Sequence, residues 1–266
     1  MERVTIPSCV TELLTAEQSA VMKRVVDEEE ARREHVVVYL SGAHAYGFPS
    51  PDSDLDLKAI HVANTADLVG LEPSTPTVDR AEIIDGVEVD YTSNELAHAL
   101  AGILGGNGNF IERVLGRMTP HSSSLLHELR PLVQRALSTR VHRHYSGFAN
   151  NQLRFLEKEP TAKKLLYVLR TTLTGIHLLE TGELEADLSR LVVDYGMSDA
   201  TALIERKRAG ERVGIDPTLV EAWRPRIDAL FGRLDTARAT SSLPEAPTNE
   251  DELRAWLLAV RRSRLR

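Results

Sequence analysis

The sequence predicts an α/β (α+β) protein, with a small, mixed, twisted sheet near its start followed by an all-helical C-terminal domain. Two observations carry this. Short apolar, β-branched runs bounded by turn residues end near Ser93, and from Ser122 onward the apolar residues recur at helical spacing almost throughout. Strands with a helix before and after them fit a sheet packed against helices.

The elements follow in order. Thr15 to Gln18 reads as a capping box, and Ala20, Val21, Val25 and Val26 continue a helix from about Glu17 to Arg33. The acidic run from Asp27 to Glu30 is read as its solvated face. Val36 to Leu40 is a buried strand that enters a loop at Ser41 and Gly42. After the loop, polar Asp54, Asp56 and Lys58 alternate with Leu55, Leu57 and Ala59 in a strand over 54–62. Residues 63–80 look irregular or briefly helical, with Pro73 and Pro76 as breakers. Asp85-Gly86 joins two strands as a hairpin turn. Ser93 is read as the N-cap of a helix to Leu104. GGNGN at 105–109 breaks that helix, and Asn107 and Asn109 are read as loop-shaping before a short helix from Phe110 to Leu115. Helices are then expected near 122–137, 140–158, 161–181, 184–194, 199–209 and 217–236. A Ser/Pro-rich linker leads to a last helix near 250–264.

The domains expected are 1–118, 119–238 and a linker with a C-terminal helix over 239–266. At 266 residues, 42% hydrophobic and 27% charged, the chain is neither disordered nor fibrous. One cysteine, Cys9, excludes an internal disulfide and a thiolate zinc cage. No apolar stretch approaches the roughly 18 residues of a membrane helix, and the start lacks a signal-peptide pattern, so a cytoplasmic protein without membrane association is expected. The net charge of −7 is unevenly spread: residues 1–118 carry 20 acidic and 9 basic side chains, the remainder 19 and 23.

Asp54 and Asp56 project from one face of their strand, and carboxylates held a few Å apart repel unless a cation sits between them. Their hard oxygen donors suit Mg²⁺ or Mn²⁺. Asp90, on the second strand of the hairpin, offers a third carboxylate, and three can hold two metal ions for an in-line displacement. Before them, Gly42 and Gly47 flank a loop where the backbone can approach phosphate oxygens.

These residues bear a family resemblance. SGAHAYGFPSPDSDLDLKAIHV, residues 41–62, resembles the RNA-ligase-associated nucleotidyltransferases (RlaP) of the DNA polymerase beta type, whose motif runs G-S-x-A-Y-G-x-x-x-x-x-S-D-x-D. Gly42, Ala45, Tyr46, Gly47, Ser53, Asp54 and Asp56 match it. The resemblance continues through VEVDYTSNELAHAL with Asp90, through GNGN-FIERVL, and into YSGFANNQLRFL and KKLLYVLRTTLTGIHLLETGEL. It implies the nucleotidyltransferase fold, a nucleoside triphosphate as substrate, two Mg²⁺ or Mn²⁺ ions on Asp54, Asp56 and Asp90, and a nucleotide site that includes Gly42, Ala43, Tyr46, Gly47 and Ser53. The motif's serine is replaced by Ala43, which removes a hydroxyl from the phosphate loop.

By the same resemblance, Lys164, Tyr167 and Arg170 face the nucleotide from the helical part. Their spacing of three and three sets them on one stripe; the alternative is a solvated cationic face with Tyr167 in the core. Arg140, His142, Arg143, His144 and Tyr145 read either as a helix start or as an RNA phosphate contact. Arg261, Arg262, Arg264 and Arg266 read either as an RNA edge or as a cationic helix end. The expected activity is transfer of a nucleoside monophosphate to a hydroxyl, an RNA end first. A protein acceptor, or nucleotide binding without turnover because of Ala43, are the alternatives.

Overall fold

The computed structural model describes residues 6–71, 75–210 and 214–265. Pro73 and Arg266 lie outside the described residues. The chain divides into two compact units: Met1–Gly42, Asp54–Ala136 and Pro247–Arg266 form one, Ala43–Ser53 and Leu137–Ala246 the other.

The first unit is built on a five-stranded sheet of β1 (Glu34–Leu40), β2 (Leu55–Val62), β3 (Thr77–Ile84), β4 (Val87–Glu95) and β5 (His121–Ser122), in the order β3-β4-β2-β1-β5. β2 and β4 run parallel; the other neighbours are antiparallel, so the sheet is mixed as expected. β1 is buried from His35 to Leu40, because helices Ala16–Glu30, Gly108–Leu115 and Ser124–Arg135 all pack on it. β2 begins differently. Leu55 and Leu57 are buried while Asp56 and Lys58 are half-buried, so its first turn-free stretch presents one polar face. The β3–β4 turn is the predicted Asp85-Gly86, both residues with positive φ, 50° and 81°.

Thr15 closes the predicted capping box with Gln18. Ser93 does not cap the next helix: β4 continues to Glu95, whose carboxylate accepts from Ala97 N at 2.7 Å, while Ser93 Oγ sits 2.8 Å from His61 Nδ1. A carboxylate at a helix start is as good an acceptor as a hydroxyl, and the buried His61 needed a polar partner. Asn107 caps Gly108–Leu115 through Asn109 N at 3.0 Å, the loop-shaping role expected of it.

The sequence boundary near residue 118 differs from the division after Ala136. Helix Ser124–Arg135 buries Leu125, Leu126, Leu129, Leu132 and Val133, and packs on β1 and on Gly108–Leu115. Periodicity reveals that such a face exists, not which partner covers it. The last helix, Glu250–Ser263, likewise belongs to this unit. Trp256 Nε1 donates to Glu128 at 2.8 Å, Asn249 Nδ2 to Leu132 O at 2.9 Å, Arg261 pairs with Glu95, and Arg264 Nε donates to Glu34 at 2.7 Å. Arg261 and Arg264 therefore tie the helix to the sheet.

The second unit is helical apart from residues 43–53. Helix Ala162–Thr181 is buried around most of its circumference, fully so at Leu165, Leu166, Val168, Leu169, Leu173 and Ile176. Helices Val141–Lys158 and Pro217–Thr240 flank it. In the basic cluster, Tyr145 is fully buried and His142 Nε2 lies 2.8 Å from Asp235 Oδ1, so these two residues serve the start of a packed helix. No helix among the described residues is long and apolar enough to cross a membrane.

Three buried histidines make the first unit sensitive to acid. His35, whose Nε2 lies 2.7 Å from Tyr91 Oη, is pushed down to about 3 by burial, with His121 and Arg33 adding to it. Burial also lowers His61, to about 4, and His121. The unfolded chain takes up these protons near pH 6.5 and the folded chain does not, so stability is full above 6.5 and falls as the pH drops toward 4. Urea midpoints measured at pH 7.5, 5.5 and 4.5 should decrease in that order, and less steeply in His35→Gln.

Candidate functional site

In the first unit the site is set by strand register. β2 and β4 pair in parallel with Asp56 directly opposite Asp90 and Leu55 opposite Val89. Opposed residues on neighbouring strands share a face, so both carboxylates stand on one side and Leu55 and Val89 fill the core on the other. Lys58, two residues beyond Asp56, shares that face. Its Nζ lies 2.9 Å from Asp90 Oδ2 and 3.8 Å from Asp56 Oδ1, and also 3.4 Å from Asp90 O and from Thr92 Oγ1. The pair is thus bridged by a cation that the chain itself supplies.

Gly42 closes on this pair from the end of β1. Ser41 N donates to Asp56 O at 2.7 Å, and Gly42 adopts a left-handed φ of 65°. A Cβ at Gly42 would lie 2.0 Å from Asp56 Oδ2, so the backbone approaches the carboxylate to a distance only glycine allows. Asp54 is half-buried and lies just before β2 rather than within it.

The donor set fits a divalent cation at Asp56 and Asp90: hard oxygens, an ammonium already standing between them, and open backbone beside one of them. Among the described residues no group of three or more acidic, histidine or cysteine side chains is gathered closely enough to hold a metal ion. The structure therefore brings Asp56 and Asp90 together and does not assemble Asp54 with them into a three-carboxylate cluster.

In the second unit, the segment from Ala43 to Ser53 is anchored at several points. Phe48 N donates to Ala43 O at 3.1 Å, Leu188 N to Tyr46 O at 3.0 Å, and Arg208 to Gly47 O at 2.9 Å. Gly47, with φ 83°, lies so close to Asp187 that a Cβ would meet its carboxylate at 2.0 Å. The Arg170 guanidinium, 3% exposed, stacks 3.5 Å from the centre of the Tyr46 ring. Tyr167 packs edge-on against Tyr46 and Phe48, at 5.6 and 5.7 Å between ring centres. Arg170 and Tyr167 thus pack against the loop's aromatic residues. Lys164, at the helix start, is bonded to Glu159, 2.5 Å from its carboxylate. Ala43 is buried, as are Tyr46 and Ser53.

Sequence reasoning passed over Lys207. It sits in IERKR, a charged run that reads as an exposed helix, yet it is 0% exposed. Its Nζ donates to Ser50 Oγ at 2.7 Å and Ser53 Oγ at 3.3 Å; the two hydroxyls are 3.0 Å apart, and Ser50 N donates to Ser53 Oγ. A lysine taken wholly out of water needs such acceptors, and only the fold reveals them. Lys58 was legible: it continues the alternation of Asp54 and Asp56.

Comparison with known proteins decides the family. The model of RlaP, described as the RNA repair pathway DNA polymerase beta family, matches residues 17–259. The chain belongs to the RlaP family. Membership places it among the DNA polymerase beta type nucleotidyltransferases, as its motifs implied. This RlaP member is 27% identical over 230 residues to the uncharacterized protein MJ0002 of Methanocaldococcus jannaschii, covering 83% of this chain and 91% of that one. Among solved structures it is similar to a nucleotidyltransferase-like protein from Exiguobacterium sibiricum 255-15, with 14% identity, TM-score 0.34, and coverage of 93% of this chain and 80% of that one.

Two substitutions probe these arrangements, one in each unit of this RlaP member. Gly42→Ala forces both a left-handed alanine and a clash with Asp56, and should lower stability by about 1–3 kcal/mol in urea unfolding. Lys207→Ala removes a fully buried side chain and its hydrogen bonds to Ser50 and Ser53, and should cost about 2–4 kcal/mol by the same measurement.

Proposed function

We propose that this chain transfers a nucleoside monophosphate from a nucleoside triphosphate to the hydroxyl of an RNA end, releasing pyrophosphate. The observation that carries the reading is the opposition of Asp56 and Asp90 on adjacent parallel strands with the Gly42 backbone against Asp56. Asp54, Asp56 and Asp90 would hold the two Mg²⁺ or Mn²⁺ ions. Bound there, such ions neutralise phosphate charge and lower the pKa of an acceptor hydroxyl.

The chain's own residues do the rest. Asp90, the most exposed of the three, orients the acceptor hydroxyl and receives its proton. Gly42 and the segment with Ala43, Tyr46, Gly47 and Ser53 bind the phosphates through backbone N–H groups, which suits a loop whose family serine is an alanine. Lys164 neutralises charge as pyrophosphate leaves, giving up Glu159 to do so. Tyr167 and Arg170 support the reading through Tyr46, whose ring both of them pack against. An RNA acceptor is favoured by the family's description as an RNA repair pathway family and by the basic balance of residues 119–266.

Incubation with labelled nucleoside triphosphates, Mg²⁺ or Mn²⁺ and pooled RNA should label a ribonuclease-sensitive product. The double variant Asp54→Ala/Asp56→Ala should lose at least about a hundredfold of that labelling. Equal labelling by that variant overturns the metal assignment, and a product sensitive to protease but not ribonuclease makes the acceptor a protein. Ala43 favours a second reading, nucleotide binding without turnover. It predicts saturable binding by calorimetry with no pyrophosphate release, in the wild type and in Ala43→Ser alike.

A further inference from the structure

The Lys58 ammonium lies between the carboxylates of Asp56 and Asp90. Its Nζ is within 4 Å of a carboxylate oxygen of each, its side chain is 20% exposed, and the strand period fixes it on their face. A lysine merely solvated at a sheet surface would extend into water; this one lies back along the strand pair, also reaching Asp90 O and Thr92 Oγ1. We propose that Lys58 is an internal counter-ion that competes with the metal for the Asp56–Asp90 pair and must swing aside before a metal ion can bridge it.

The inference rests on the reading of these carboxylates as metal ligands, and it adds a control on when they are occupied. Without a metal, the ammonium cancels part of the repulsion between the two aspartates and holds the pair together. A divalent ion arriving alone must displace it and then remain a few Å from a like charge, which weakens binding. An ion arriving on a triphosphate brings anionic oxygens that offer the displaced ammonium a new partner. Lys58 thereby makes the pair selective for metal already complexed with nucleotide over free metal.

Mn²⁺ binding to the full-length chain, followed by electron paramagnetic resonance without nucleotide, tests this independently of turnover. Wild type should bind weakly, and Asp56→Asn should abolish the binding. Lys58→Met should bind at least tenfold more tightly, about 1.4 kcal/mol. Lys58→Thr, which also removes the charge and suits a strand, should reproduce that gain and decides the matter if the Met variant does not fold. Lys58→Arg should stay near wild type. Charge-removing variants that fold and bind no more tightly than wild type overturn the competition while leaving the metal reading intact. If neither wild type nor those variants bind Mn²⁺ in a manner dependent on Asp56, the metal reading falls and the inference falls with it.

Discussion

Two carboxylates facing each other on adjacent strands repel unless a cation or a shared proton lies between them, and here Lys58 lies between them. The register that opposes Asp56 to Asp90 also opposes Leu55 to Val89 and Leu57 to Tyr91, all four of them buried. A slip of one residue would turn the aspartates into the core and the leucines outward. The hydrophobic interior therefore enforces the electrostatic repulsion, and the same residues that stabilise the sheet keep the charged pair in place. Gly42, bonded into the site through its neighbour Ser41, closes the arrangement from β1.

Most of this was legible from patterning. Alternation at Asp54, Leu55, Asp56, Leu57 and Lys58 specifies one polar face, and Asp85-Gly86 specifies the turn that aligns β3 with β4. The parallel pairing of β2 with β4 was not legible, since it joins segments separated by a further strand, and neither strand's sequence names its neighbour. Asp54, which the sequence groups with the other two carboxylates, lies one residue before β2 begins. The cap of helix Leu96–Leu104 was misplaced because Ser93 is a good cap in isolation and is engaged by a histidine from another strand.

The second unit shows how tertiary burial overrides what a local run of charge suggests. Arg170 and Lys207 would both be placed on a surface by composition. In the structure one stacks on Tyr46 and the other is enclosed with Ser50 and Ser53, so both are spent on holding the loop from Ala43 to Ser53. Charged side chains in such positions are costly to bury, and that cost is met by aromatic faces and hydroxyls contributed by the loop itself. The loop and the helices around it are consequently one packed body, which explains why the loop does not belong to the unit whose strands it connects.

The return of helix Glu250–Ser263 to the first unit has a consequence for the order of events on the ribosome. Apart from Ala43–Ser53, the second unit is synthesised after β1 to β5 and before the helix that supplies Trp256, Arg261 and Arg264 to them. Domains that emerge whole can fold as they emerge, whereas a discontinuous one must wait for its last segment. Glu34, Glu95 and Glu128 are left without those partners until translation is nearly finished. A nascent chain stalled before residue 250 would carry a helical unit with all its parts and a sheet with one flank uncovered.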